Sequence, residues 1–184
     1  DINDLDAIQM LWVLRRMRDE GKYLDGREIK NPPMFFLGAA ASPFSSNVKF
    51  QALREQKKVN AGAQFFQTNL IFDVDGMERW LNELAKRNVL DKVFILAGVT
   101  PIKSLKMAQR LADVPGVYLP KEILHRIEVA DRAGNAQEEG IQIALEIISK
   151  IRGYEKQGIH GIHLMPVGWD EVIPRIVLEA GLTR

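Results

Sequence analysis

Residues 57–73, "KKVNAGAQFFQTNLIFD", decide the fold. Two lysines close a helix-like stretch, Gly62 marks a turn, and "QFFQTNLIF" is an apolar run of strand length interrupted by Gln67, Thr68 and Asn69. Cations late in a helix complement its dipole and a glycine just beyond it ends it, so the stretch reads as helix, turn, strand. A strand that only filled a core would have no use for amides. What they face is therefore the functional question.

The same alternation repeats on both sides. "MFFLGAA" (34–40), "KVFILAGV" (92–99) and "GIHGIHLM" (158–165) are further apolar runs, so strands are expected to begin near residues 34, 64, 92 and 159. Between and around them, helices are predicted over "DLDAIQMLWVLRRMRDEG" (4–21), 48–61, "DGMERWLNELAKRN" (75–88), "SLKMAQRLAD" (104–113), 137–155 and "DEVIPRIVLEAG" (170–181), with a short segment at "PKEILHRIE" (120–128). In the first of these Leu5, Ile8, Leu11 and Trp12 share one face. Pro174 either kinks the last helix or marks its late start.

Strands alternating with helices argue for a parallel sheet with helical crossovers. No GxGxxG or GxxxxGK[ST] follows the first strand, which argues against an open doubly wound nucleotide-binding sheet. A TIM (β/α)8 barrel fits better, but a closed barrel takes about 250 residues and eight units. Residues 1–184 are accordingly read as a single α/β domain that forms about the second half of a barrel, strands 5–8 and helices 4–8.

Composition narrows the function classes. The chain has 184 residues, 46% of them hydrophobic, with 25 basic and 24 acidic side chains giving a net charge of +1. With no block of like charge, nucleic acid is not expected as a partner. The absence of cysteine removes disulfides, thiolate metal sites and a cysteine nucleophile. No run is long enough to span a membrane and no targeting pattern opens the sequence, so a cytoplasmic protein is expected.

In a barrel, ligands meet the C-terminal strand ends. Here these read "GAAASPF" (38–44), "QTNLIFD" (67–73), "AGVTP" (97–101) and "HLMPVGW" (163–169). Small residues let a flat ligand approach the backbone, while Ser42, Thr68, Asn69 and Thr100 offer neutral hydrogen-bonding groups. That suits a planar, uncharged heterocycle. Lys57 and Lys58 read either as a solvated helix end or as a lysine turned back to a diphosphate. His160 and His163, three apart on a strand, point to opposite faces and do not share a metal. Asp73 and Asp75 read as a helix start rather than a carboxylate pair. Trp169 reads as a stacking surface or as packing. No metal site and no catalytic triad are expected.

At "KKVNAGAQFFQTNLIFD" the chain resembles the methylenetetrahydrofolate reductase family of flavin-dependent TIM barrels, whose segment is K-K/R-V-x-A-G-A-x-x-x-x-T-Q-x-x-F-D. "GAAASPF" is similar to the family loop G-A-A-x-N-P-F, "AGVTPIKSLKMAQRLAD" to its G-I-x-P-I segment, and "GIHGIHLMPVGW" to its last strand, G-x-H-F-Y-T-L-N. The resemblance implies reduction of 5,10-methylenetetrahydrofolate to 5-methyltetrahydrofolate by hydride from a flavin, FAD in preference to FMN. NAD(P)H, or a partner subunit as in acetogen and archaeal members, would be the electron donor. Tetrahydrofolate interconversion and methionine biosynthesis would be the setting, and a homo-oligomer or a complex with a partner subunit the assembly.

Carried over by position, Ser42, Ser45, Gln51, Lys57 and Lys58 fall on the flavin side. Asn69, Met107, Leu111 and Trp169 fall on the folate side. Asn69 replaces a glutamine, which withdraws the amide by about 1.5 Å. The family's acid and its R-G-D loop belong to the early strands, so no catalytic residue is assigned. A reductase for a related pterin carrier and a non-catalytic half-barrel assembly subunit are the alternatives.

Overall fold

The computed structural model describes residues 4–182. Four strands, β1 (Gly38–Ala41), β2 (Phe65–Leu70), β3 (Phe94–Val99) and β4 (Gly161–Leu164), form one parallel sheet in the order β1-β2-β3-β4. Each strand lies beside the next in sequence, all parallel. That unreversed order is the winding of a barrel and has no switch point of the doubly wound kind. The expected parallel α/β architecture is therefore observed.

Among the described residues seven α-helices accompany the sheet: α1 (Ala7–Glu20), α2 (Val48–Ala61), α3 (Val74–Ala85), α4 (Leu105–Ala112), α5 (Lys121–Arg132), α6 (Ala136–Arg152) and α7 (Ile173–Glu179). Their ends follow local chemistry. Asp6 caps α1 with a reciprocal capping box to Gln9, and Gly21 closes it in the left-handed region. Asp73 accepts from Gly76 N at 2.9 Å and so caps α3, as the sequence implied.

Three expectations are corrected. The first strand starts at Gly38 rather than near residue 34: Gln64 N and Phe65 N both donate to Leu37 O, so the ladder with β2 opens only there. Phe35 and Phe36 precede it. The segment 120–128 is a full helix to Arg132. Arg126 holds it on α6 through Glu139 at 2.7 Å and Glu146 at 2.7 and 3.0 Å. The last helix is a short 3-10 turn over 170–172 followed by α7, with Pro174 in its first turn. Of the two readings of that proline, the late start is the one observed.

The two faces of the sheet differ. Phe66, Ile95, Ala97 and Val99 turn towards the helices and join Met77, Trp80, Leu84, Ile143, Ile147 and Ile151 in one core. Each such large side chain contributes roughly 1.5–3 kcal/mol by leaving water. Tight approach is built in: a methyl group at Gly140 of α6 would collide with the Ile102 carbonyl after β3. The opposite face carries Phe36, Phe65 and Phe94 at the start of the strands, with Phe36 and Phe65 stacked at 5.3 Å. Phe36 is 59% and Phe94 53% exposed.

Candidate ligand site at the strand ends

The site grows from an irregularity in β2. Gln67 pairs with Leu96, but Leu70 pairs with Gly98, so β2 holds one residue more than β3 across this step. The extra residue falls at Thr68 and Asn69, and a bulge of this kind re-aims side chains. Thr68 is buried and repairs the ladder: its hydroxyl accepts from Gly98 N at 2.9 Å and donates to Asn69 O at 2.8 Å. Its hydroxyl is thus engaged by backbone rather than offered to a ligand. Thr100 is likewise buried, donating to Pro101 O at 3.4 Å.

Asn69 is the amide that reaches the strand end. Its Nδ2 donates to Ser42 Oγ at 3.3 Å, so the ends of β1 and β2 meet through these two side chains. Gly116 closes over the pair; a Cβ there would lie 2.7 Å from Asn69 Nδ2, and its φ of +81° also favours glycine. Gln67 is exposed on the open face.

Behind Ser42 lies a buried polar cluster. In a parallel ladder alternate residues turn to opposite edges, and Leu37 O turns to β2, so Ala40 O and Ser42 N turn away from β2. Helix α2 satisfies both. Lys58 Nζ donates to Ala40 O at 2.7 Å, and Ser42 N donates to Glu55 Oε1 at 3.0 Å. Glu55 is fully buried and also accepts from Gln51 Nε2 at 3.0 Å and from Trp80 Nε1. Burial pushes the Glu55 carboxyl up, opposed by the Gln51, Ser42 and Trp80 hydrogen bonds and the Lys58 charge. Burial pushes the Lys58 ammonium down, opposed chiefly by the Glu55 charge.

Of the residues singled out from sequence, Ser42 and Asn69 touch, Gln51 joins them through Glu55, and Lys58 lies beside them on the Ala40 carbonyl. Lys58 is 7% exposed, which excludes the solvated helix end for this lysine; Lys57 beside it is exposed. Ser45 lines a neighbouring cavity of about 380 Å³ with Phe44, Asp73, Arg79 and Tyr118. Leu111 and Trp169 belong to the main apolar core and Met107 packs against it, away from the Ser42–Asn69 contact. Lys103 N donates to Met107 Sδ at 3.4 Å, and the Lys103 ammonium lies 5.9 Å from the centre of the Trp169 ring. Trp169 and Leu111 are both buried, so Trp169 packs rather than presenting an open face.

Glu55 and Trp80 were not foreseen as site residues. The signal was present in the spacing: Gln51, Glu55 and Lys58 fall at i, i+4 and i+7 and so share one helix face. His160 packs edge-on against Phe94 at 5.0 Å and accepts from Ile95 N, while His163 Nδ1 is buried without a hydrogen-bond partner. Among the described residues no group of three His, Cys, Asp or Glu is placed to hold a metal, and no helix is long and apolar enough to cross a membrane.

A barrel-type parallel sheet with a hydroxyl–amide pair at its strand ends defines the class, and comparison with known proteins supplies the family. The family model described as methylenetetrahydrofolate reductase matches residues 33–181. The chain belongs to that family. It is 29% identical over 128 residues to "Methylenetetrahydrofolate reductase (NADH) 1" of Arabidopsis thaliana, covering 69% of this chain and 21% of that protein. It is 25% identical over 141 residues to the 5,10-methylenetetrahydrofolate reductase of Buchnera aphidicola from Acyrthosiphon pisum, covering 76% and 47%. Aligned with "Methylenetetrahydrofolate reductase 1" of Schizosaccharomyces pombe, it covers 20% of that protein at 25% identity. The chain thus spans less than half the length of these relatives.

A solved structure shares the fold, with a TM-score of 0.60 and 22% identity over 80% of this chain and 53% of the other. It is a Clostridium thermocellum protein described as binding two copies of 5-methyl-5,6,7,8-tetrahydrofolic acid.

Proposed function

We propose that the protein reduces 5,10-methylenetetrahydrofolate to 5-methyltetrahydrofolate, and that this chain supplies the second half of the barrel in which the reaction occurs. Family membership supports the reaction class. The observation that carries the site is the Ser42–Asn69 pair at the ends of β1 and β2, at 3.3 Å. The exposed Phe36 and Phe94 on the face opposite the helices support completion of the barrel by further strands.

The donor set suits a flavin. Ala40, small and exposed on β1, leaves a flat approach, and Lys58 keeps a buried ammonium with one hydrogen bond to Ala40 O. Ser42, Ser45, Gln51, Lys57 and Lys58 would hold the cofactor, with Lys57 and Lys58 as its cations. The flavin, FAD in this reading, would supply the hydride. The chain orients: Ser42, between the flavin side and Asn69, fixes with that amide the folate heterocycle against the flavin, and the buried Glu55 and Lys58 hold the β1 end rigid through Ser42 N and Ala40 O. Met107, Leu111 and Trp169 would shape the apolar side of the folate pocket. NAD(P)H or a partner subunit would reduce the flavin, in a cytoplasmic homo-oligomer or complex.

The test is equilibrium binding to the purified full-length protein. A flavin spectrum that survives purification, with saturable binding of 5-methyltetrahydrofolate, is expected; a colourless protein that binds no folate refutes the reading. A second reading is favoured by Asn69, whose shorter amide suits a related pterin carrier of one-carbon units. Competition between the two carriers separates them, the tighter binder being the substrate class.

A further inference from the structure

Ser42 and Asn69 are not independent ligands in this fold. Asn69 Nδ2 is engaged by Ser42 Oγ, which leaves Asn69 Oδ1 without a hydrogen-bond partner among the described residues. The Ser42 hydroxyl, in turn, accepts from Asn69 and keeps its own proton to donate. Together they present one acceptor and one donor side by side. The complementary ligand edge carries an N–H beside a carbonyl, as in the lactam edge of an oxo-pyrimidine ring.

The direction of this pair depends on where the Ser42 backbone sits. Ser42 follows β1, and its N–H turns to the side away from β2. The group that holds it is the Glu55 carboxylate, whose other donors come from Gln51 on the same helix and from Trp80 on α3. Glu55 is fully buried and cannot itself meet a ligand from solution.

We propose that Glu55 is a positioning residue: it fixes the turn carrying Ser42, and through the Ser42 hydroxyl it sets which atom of the Asn69 amide faces the ligand. The identity of that ligand as a folate rests on the function proposed above. The positioning itself does not. A purely structural carboxylate would support α2 and α3 without any influence on Asn69.

The experiment is a double-mutant cycle with Glu55→Gln and Ser42→Ala in the full-length protein, read in two ways. Without ligand, the side-chain amide resonances of Asn69 are followed by NMR. With ligand, affinity for 5-methyltetrahydrofolate is measured. Each single variant should shift the Asn69 amide signals and weaken binding about tenfold, and the double variant should bind no worse than the weaker single one.

Unmoved Asn69 signals in Glu55→Gln, or losses that add in the double variant, overturn the proposal. Moved Asn69 signals in a protein that binds no folate uphold the positioning and refute the folate reading instead. Should Glu55→Gln fail to fold, Glu55→Asp keeps the charge while withdrawing its oxygens, and the same two readouts decide between the same outcomes.

Discussion

The two ends of the sheet's open face are built from opposite chemistry. At the strand starts, Phe36, Phe65 and Phe94 form an apolar floor in which two rings remain more than half exposed. At the strand ends, Ser42 and Asn69 form a polar mouth backed by the buried Glu55, Gln51 and Lys58. The floor is held by area and tolerates change in proportion to area lost. The mouth is held by directed hydrogen bonds to a buried charge, so removing one partner leaves the others unsatisfied. One end is suited to covering by more protein, the other to recognising a small polar ring.

The contrast can be broken most sharply at Glu55. Replacing it by alanine strands Trp80 Nε1, Ser42 N and Gln51 Nε2, a loss of about 3–5 kcal/mol. Urea unfolding would measure it. On the floor, Phe65→Ala should cost less, about 2 kcal/mol, because the ring is only partly buried. Folate affinity should be unchanged, as Phe65 lies at the other end of β2. At the mouth, Asn69→Ala should do the reverse, weakening folate binding at least tenfold, about 1.4 kcal/mol, with little change in unfolding.

The smallest effect is in pH dependence. Burial raises the Glu55 carboxyl above its unfolded value, so the folded protein binds that proton more tightly. Its contribution to stability is then present at low pH and is lost as pH rises through the folded value. The unfolding free energy of the protein relative to its Glu55→Gln variant should accordingly fall as pH climbs above about 4. A flat or rising difference would show that the carboxyl is not raised.

Much of this contrast was legible before the structure. The four strands followed from apolar runs, α2 from its spacing and closing glycine, and the α3 cap from Asp73. Two things were hidden. A bulge depends on the neighbouring strand, so nothing within "QTNL" distinguished Thr68, which repairs the ladder, from Asn69, which reaches the mouth. Glu55 was hidden because a glutamate on a charged helix ordinarily faces water, and only the donors Trp80 Nε1 and Ser42 N turn it inward. The start of β1 was misplaced for a related reason: Phe35 and Phe36 look like strand, but pairing with β2 begins only at Gly38.

The proposed reaction is tested most directly by anaerobic mixing of the full-length protein, its flavin chemically reduced, with 5,10-methylenetetrahydrofolate. Reoxidation of the flavin, with 5-methyltetrahydrofolate formed in equal amount, is the predicted result. A flavin that stays reduced while the folate is recovered unchanged would contradict it.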